Sequence, residues 1–237
     1  MISVCIATYN GEKYIHKQLL SIVSQLTQND EIVISDDGST DNTISIIMSI
    51  NSPIIHIFKN KGAHGYTPNF ENALRHAHGE YIFLSDQDDV WSEDKVNKTI
   101  KLLQQYDFVI SDADIIDERG CKIAESYFNL RKSKPGVVNN LIRFSYLGCS
   151  MAFRRQILKK AIPFPSNHSY CTHDNWLGII GMIFYRTTIT NEKLFHYRRH
   201  QNNTSQGGLR PTTSIWFKCR YRLYLLLWIL KRFFKTT

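Results

Sequence analysis

The chain has 237 residues, 43% of them hydrophobic, and carries 29 Lys and Arg against 21 Asp and Glu. That length and apolar content fit one large domain or a domain with an extension, and they exclude wholesale disorder. The charge is uneven: residues 193–237 hold 10 Lys and Arg and no acid, so the positive excess belongs to the tail and gives the body no nucleic-acid-binding face.

The chain opens on "ISVCIA", an apolar, partly β-branched run that reads as a strand; "MISVCIATYN" has neither the basic region nor the long apolar region of a signal peptide. "EKYIHKQLLSIVSQL" sets Ile15, Leu19, Ile22 or Val23, and Leu26 at helical spacing. "EIVIS" predicts a second buried strand, and "DNTISIIMSI" a short helix capped by Thr40 or Asp41. "IIHIF" predicts a third strand, followed by the helix "NFENALRHA" with Gly79 as its stop. "EYIFLS" predicts a fourth strand, then comes a helix over "EDKVNKTIKLLQQY" with Val96, Ile100 and Leu103 on one face, and "DFVISDADIID" predicts a fifth strand.

The second half is less regular. Residues 115–147 read as a long connection, "YLGCSMAFRR" as a strand leading into a short helix, "HDNWLGIIGMIFY" as a buried helix starting near Asp174, and "RTTITNEKLFHYRRH" as a strand or hairpin. The five cysteines (Cys5, Cys121, Cys149, Cys171, Cys219) are scattered, odd in number and never spaced as CxxC, which fits a reducing cytoplasm better than a disulfide framework or a zinc site.

Alternating strands and helices predict an α/β fold, a single Rossmann-like, mostly parallel sheet flanked by helices. Ligands of such sheets sit at the carboxyl ends of the strands. Polar loops fall there four times in succession: "TYNG", "DDGSTD", "NKGAHG" and "DQDD".

In "SDQDDVW", Asp86, Asp88 and Asp89 put three carboxylates within four residues at the end of an apolar strand. Like charges so close resist burial. Capping of the next helix by Ser92 or Asp89 accounts for one carboxylate, not three. Mn²⁺ or Mg²⁺ bound together with nucleotide phosphates accounts for the set, since these ions favour hard oxygen ligands. In "SDDGSTD", turn and cap chemistry explains Gly38 and Asp41. The adjacent Asp36 and Asp37 are suited to accept hydrogen bonds from an imide N–H or from ribose hydroxyls, with Thr8 and Tyr9 of "ATYNG" beside them. Lys61, His64 and Gly65 lie on the third strand-end loop, near enough to approach a donor, although glycines that only permit the turn explain that loop as well.

"ATYNG", "SDDGSTDNT" and "EYIFLSDQDDVW", in this order and strand context, resemble the family-two glycosyltransferases, inverting enzymes of the glycosyltransferase A-type fold. The resemblance covers residues 1–115 and continues more loosely to about residue 205 through "THDNW" and "YRRHQNNTS". It implies that Thr8, Tyr9 and Asn10 line the nucleoside pocket and that Asp37, with Asp36 beside it, binds base or ribose. It further implies that Asp86 and Asp88 form the Asp-x-Asp motif, with Asp88 on the metal and Asp86 on metal or sugar. Asp174 in "HDNW" matches the family's catalytic base, although His173 stands where the family usually has an acid. An Asp before an apolar run is also a good helix cap. His200, with Arg198 or Arg199, is placed to contact metal or diphosphate, against the plain reading of a solvated strand end. The "YRRHQNNTS" ending is similar to those of bacterial surface-polysaccharide enzymes, rhamnosyltransferases among them.

The resemblance implies a UDP- or dTDP-sugar donor, a glycan or lipid-linked acceptor, and work in O-antigen or capsule synthesis. Residues 1–205 would form the transferase domain, with 1–115 binding the donor and 116–205 the acceptor. The tail, 206–237, is basic and aromatic, and its longest apolar run is far short of the ~20 residues that span a bilayer. It fits the anionic inner face of the cytoplasmic membrane, or a terminal helix docked on its own domain or on a second subunit. Two rivals are a nucleotidyltransferase, which lacks here the glycine-rich, basic N-terminal loop that holds a triphosphate, and a non-catalytic subunit of a glycan-assembly complex, which has no need of the full acidic set.

Overall fold

The structure, a computed structural model, describes residues 1–201, 203 and 214–234. The stretches 202, 204–213 and 235–237, which include most of "NNTS" and the start and end of the tail, lie outside the described residues.

The first half follows the periodicity of the sequence: β1 (Ile2–Thr8), α1 (Ile15–Val23), β2 (Glu31–Asp36), α2 (Thr43–Ser49), β3 (Ile55–Lys59), α3 (Tyr66–His76) and β4 (Tyr81–Asp86). Helix α1 buries Ile15, Leu19 and Ile22. A two-residue strand β5 (Val90–Trp91) leads into α4 (Lys95–Leu103), and then come β6 (Phe108–Ile116) and β7 (Lys122–Ala124). The rest is α5 (Tyr127–Arg131), α6 (Val137–Ile142), β8 (Met151–Arg154), α7 (Leu158–Ala161), α8 (His173–Phe184), β9 (Thr187–Arg198) and α9 (Ile215–Phe233).

The sheet is mixed, mostly parallel, in the order β3-β2-β1-β4-β8-β6-β9-β5, with β7 added on β6. Strands β1 to β4 pair in parallel, β8 runs antiparallel between β4 and β6, and β9 is parallel to β6. The chain winds outward from β1 through β2 to β3 and then returns to β4 on β1's other side. The β1/β4 boundary is therefore a topological switch point, where the carboxyl ends of two strands diverge and leave a crevice. Helix α3 packs on β1 and β2 and against α8. Val4, Ile6, Ile32, Ile34, Phe83 and Phe153 form the center of the core.

Two local expectations change. Gly79 does not stop α3, which ends at His76 with Ala77 extended. Gly79 instead sits against β1, where a Cβ would come within 2.6 Å of the backbone N of Ser3. The N-cap of α2 is Asn42 rather than Thr40 or Asp41, although Asp41 Oδ1 still accepts from the N–H of Thr43 at 3.0 Å. Of the two readings of the segment after α8, strand or hairpin, the structure has the strand: β9 pairs with β6 along its length and with β5 near its end.

Helix α9 is docked on the domain. Leu225, Ile229 and Arg232 are buried, Trp228 meets Trp176 edge-on at 6.4 Å, and Phe233 lies 4.6 Å from Phe184. Burying a Leu or Ile side chain contributes about 1.5–3 kcal/mol. The opposite side of the helix exposes Leu223, Leu226, Leu227, Leu230 and Phe234.

Candidate active site

The first three strand-end loops are tied to one another. Asp36 Oδ2 accepts the N–H groups of Gly38 and Ser39, and its Oδ1 accepts the hydroxyls of Thr8 at 3.1 Å and Ser39 at 2.5 Å. These four donors engage both oxygens, which makes Asp36 the builder of its own turn. Thr8 is buried beneath the site with its hydroxyl committed to Asp36. Asn10 takes a left-handed φ of 47° and its Oδ1 accepts the N–H of Thr40 at 2.9 Å, so it braces the first loop against the second. Tyr9 is 54% exposed.

Asp37 is buried and bridges to the third loop. Its Oδ1 accepts from Asn60 Nδ2 at 2.7 Å and its Oδ2 from the N–H of Gly65 at 2.8 Å, with His64 Nδ1 3.4 Å away. Gly65 has φ 121°, a conformation that L side chains rarely adopt. Lys61 is exposed on the same loop.

The fourth loop carries the acids. Gln87, in the middle of "DQDD", clasps the backbone of Tyr9: its Oε1 accepts the Tyr9 N–H at 2.9 Å and its Nε2 donates to the Tyr9 carbonyl at 3.1 Å. The contact ties together the loops that follow β1 and β4, on either side of the crevice between those strands. Asp86 and Asp88 are half-buried, whereas Asp89 is fully buried. Burial, and then the charges of Asp88 and Asp174, push the Asp86 carboxyl up to about 7. Burial, and then the charges of Asp88 and Asp86, hold Asp89 well above the usual carboxylate range. One carboxylate oxygen each of Asp86 and Asp89 and the sulfur of Cys149 lie within 4.8 Å of one another.

Three features offset this charge. Asp89 Oδ1 accepts the backbone N–H of Arg198 at 2.9 Å. Lys95 is buried beside the acids, donating to the Cys149 carbonyl at 3.0 Å, with its ammonium 4.6 Å from the Trp91 ring and 4.4 Å from that of Phe195. Burial pulls its pKa down to about 8, while Asp89 and Asp86 work to keep it charged. Asp88 Oδ2 lies 2.9 Å from His200 Nε2 and 3.2 Å from Asn203 Nδ2.

A divalent cation fits these residues. Asp89 Oδ2 is buried with no hydrogen-bond partner, and the acidic charges that, after burial, raise the Asp86 carboxyl are ones a cation would offset. Among the donors, half-buried Asp86 and Asp88 suit a hard ion, with the His200 imidazole adjacent. Cys149 suits it poorly, because burial holds its thiol protonated, far above the usual range.

Arg198 is spent on structure. It is 3% exposed, and its guanidinium donates to the carbonyls of Asp88, Asp117 and Glu118 at 2.8, 3.1 and 3.2 Å. Tyr14 stacks on His200 with ring centroids 4.9 Å apart and has the Arg198 guanidinium over its ring at the same distance.

Asp174 stands in the first turn of α8. Its Oδ1 accepts the hydroxyl of Thr172 and, at 2.8 Å, the N–H of Asn175. Its charge acts on Asp86 across the site, and both carboxylates, after burial, push the hydroxyl of Tyr66 up to about 12. The fold thus sets Asp88 against His200 and brings Asp86 within electrostatic reach of Asp88 and Asp174. His173 is buried instead of facing the crevice: its ring stacks on Phe70 at 4.2 Å, against Gly148, where any Cβ would collide with the imidazole. Neither ring nitrogen has a hydrogen-bond partner, and burial pulls its pKa down.

The sequence reading missed Gln87, Asn60, Tyr66 and Lys95. The first two occupy polar strand-end loops, which is the signal that could have found them.

Residues 3–162 match the profile of Glycosyl transferase family 2. The dTDP-rhamnosyl transferase RfbG of Shigella flexneri is 31% identical over 235 residues, covering 91% of this chain and 76% of the relative. The UDP-Glc:alpha-D-GlcNAc-diphosphoundecaprenol beta-1,3-glucosyltransferase WfaP of Escherichia coli is 27% identical, with 96% of this chain and 92% of the relative covered. Among solved structures, S. aureus TarS (residues 1–349, in complex with UDP-GlcNAc) superposes with a TM-score of 0.73 at 18% identity, a likeness of fold that covers 97% of this chain and 66% of that one.

Proposed function

The chain belongs to glycosyl transferase family 2, and on that footing we propose that it transfers a sugar, with inversion, from a nucleoside-diphosphate sugar to a glycan or lipid-linked acceptor in bacterial surface-polysaccharide synthesis. The observation that carries this reading is the cluster of Asp86, Asp88 and Asp89 at the end of β4, with Asp88 Oδ2 2.9 Å from His200 Nε2, in a chain that matches the family profile over residues 3–162.

The donor lies in the crevice between β1 and β4. Tyr9 stacks on its base and Asp37, held in place by Asn60 and Gly65, accepts from base or ribose. An imide-binding Asp serves UDP and dTDP alike. Asp36, Thr8 and Asn10 shape this pocket from behind. Asp86 and Asp88 would hold Mn²⁺ or Mg²⁺, with His200 beside them. When bound, the ion supplies positive charge to the departing diphosphate. Lys61 and Arg199 reach the donor's phosphates from the rim, since Arg198 is committed to backbone carbonyls.

Asp174 is the base. With Oδ1 engaged by Thr172 and Asn175, Oδ2 takes the proton of the acceptor hydroxyl. The acceptor oxygen attacks the anomeric carbon on the face opposite the diphosphate. The carbon–oxygen bond to the diphosphate breaks, its electron pair leaves with the diphosphate, and the configuration inverts. Residues 1–115 bind most of the donor, and 116–205 bind the acceptor and lend Arg199 and His200 to the diphosphate and ion.

No helix among the described residues is long and apolar enough to cross a membrane. We assign the outer face of α9, with Leu223, Leu227, Leu230 and Phe234 exposed among basic residues, to the inner surface of the cytoplasmic membrane. The test of the function is a thermal-shift panel of UDP, dTDP, GDP and CDP, with and without Mn²⁺. A metal-dependent rise with UDP or dTDP supports the reading, because a ligand that binds only the folded state raises its stability. No rise with any nucleotide overturns it.

A further inference from the structure

Gln87 and Tyr9 stand on either side of the crevice between β1 and β4, 78 residues apart in the chain, and two hydrogen bonds join them. We propose that Gln87 is a positioning residue: its clasp on the Tyr9 backbone couples the nucleoside pocket to the ion site, so that base and ion each favour binding of the other. This role rests on the transferase reading above and belongs to the residue between the two acids, Asp86 and Asp88.

The clasp is chemically specific. Gln87 Oε1 accepts the Tyr9 N–H at 2.9 Å and Nε2 donates to the Tyr9 carbonyl at 3.1 Å. A side-chain amide offers one acceptor and one donor side by side, whereas a carboxylate could meet the N–H but not the carbonyl. Gly11 leaves the space for it: a Cβ there would come within 2.4 Å of Gln87 Oε1.

Stability gives the clasp little reason to exist. Both bonds lie at exposed positions, and Tyr9 is 54% exposed. Water can satisfy the same backbone groups, so the net gain in folding is small. Strands β1 and β4 are already paired up to Ala7 and Asp86. What the clasp fixes is the chain beyond that last pair, with Tyr9 on one side and the acids flanking Gln87 on the other.

The loop after β1 is also fastened to the loop after β2. Asn10 Oδ1 accepts the Thr40 N–H at 2.9 Å, the Ser39 hydroxyl accepts the Asn10 N–H at 3.0 Å, and the Thr43 hydroxyl accepts the Gly11 N–H at 2.7 Å. Gln87 ties that same loop to the acidic loop. A base against the exposed Tyr9 ring orders the stretch whose backbone Gln87 grips. An ion held by Asp86 and Asp88 orders the residues on both sides of Gln87. Each ligand therefore favours the clasped arrangement over the open one. A preference shared by two ligands is a coupling free energy between their sites, equal in both directions.

Calorimetry on the full chain reads this coupling. Uridine, or thymidine if dTDP is the diphosphate that raises the melting temperature, is titrated with and without Mn²⁺. A nucleoside carries no phosphate, so an effect of the ion on its affinity passes through the protein. In the wild type Mn²⁺ should tighten the nucleoside by about five-fold or more. Gln87→Met, which keeps the length of the side chain and removes both hydrogen bonds, should erase that factor while the melting temperature stays near wild type. Gly11→Ala should erase it as well, because its Cβ displaces the Gln87 amide and leaves every acid in place. Where the nucleoside is too weak to titrate, the diphosphate takes its place. Contact between ion and phosphate is common to wild type and variant, so the ratio of their Mn²⁺ factors isolates the clasp and should be about five or more. The inference is overturned if Mn²⁺ leaves the wild-type affinity for the nucleoside unchanged, or if Gln87→Met or Gly11→Ala keeps the wild-type factor with nucleoside or diphosphate. Failure of the wild type to bind any nucleotide overturns instead the transferase reading, and the coupling with it.

Discussion

Asp88 Oδ2 and His200 Nε2 lie 2.9 Å apart although 112 residues separate them in the chain. The pair joins the acidic loop after β4 to the end of β9. Asp88→Asn should abolish the Mn²⁺-dependent part of the nucleotide thermal shift. His200→Ala should weaken the apparent Mn²⁺ affinity by about ten-fold, the scale on which groups around a metal ligand act. A Mn²⁺ titration of nucleotide binding reads both, and unchanged affinity in Asp88→Asn would remove Asp88 from the ion site.

Asp174→Asn keeps the hydrogen-bond geometry at the start of α8, since Asn and Asp cap comparably. It removes the base. Turnover should fall by about 10²–10⁴-fold while nucleotide binding and melting temperature stay near wild type. Near-normal turnover would leave Asp174 as a helix-terminus residue only.

Arg198 and Lys61 are both basic residues of the site region and should behave oppositely. Arg198→Ala leaves the carbonyls of Asp88, Asp117 and Glu118 without their donor and should cost about 2–4 kcal/mol, since each unsatisfied buried group costs about 1–3 kcal/mol. Lys61→Ala, on an exposed loop, should leave stability within about 0.5 kcal/mol. Urea unfolding at neutral pH measures both.

His173 makes stability depend on pH. Its folded pKa is depressed by burial below the ordinary 6.5. The unfolded chain therefore binds more protons once the pH falls below about 6.5, and stability present above that pH is lost as the pH drops further. The urea midpoint should fall from about pH 7.5 to about pH 5.5, and His173→Phe, which has no ring nitrogen to titrate, should flatten that part of the dependence.

The two faces of α9 predict two separable effects. Leu223→Ser with Leu227→Ser and Leu230→Ser should leave the melting temperature near wild type and reduce sedimentation with anionic lipid vesicles. Deleting α9 should instead destabilise the domain, because it uncovers Trp176 and Phe184. Loss of membrane binding on deletion alone is therefore ambiguous, and the point variants are the sharper measurement.

How much of this was legible follows from where the signal lies. Strands β1 to β4 and their helices are written in local periodicity, and the acids of "DQDD" announce themselves because like charges rarely gather without cause. Strand β8 was readable as a strand, but its antiparallel direction is set by the sheet around it. Asp36 and Asn10 have the residue types of ligand contacts, yet their hydrogen bonds go to their own loops, which only the turn geometry reveals. Arg198 looks like a phosphate ligand in sequence, and its burial against three carbonyls depends on segments about 80 and 110 residues away. Lys95 falls at a position that helical spacing assigns to solvent. Its partners, Cys149 and Phe195, come from distant parts of the chain.

The strap that Arg198 lays over the acidic loop also sets an order of events during synthesis. Strands β1 to β4 are complete by residue 86, and the parallel pairs among them involve no later strand, whereas the other edge of β4 waits for β8. The loop that follows them cannot take its final shape until residue 198 arrives to hold Asp88 and Asp89. On the metal reading above, the donors of the ion site come together only once β9 is made, so a product truncated before residue 198 lacks the contacts that hold Asp88 and Asp89.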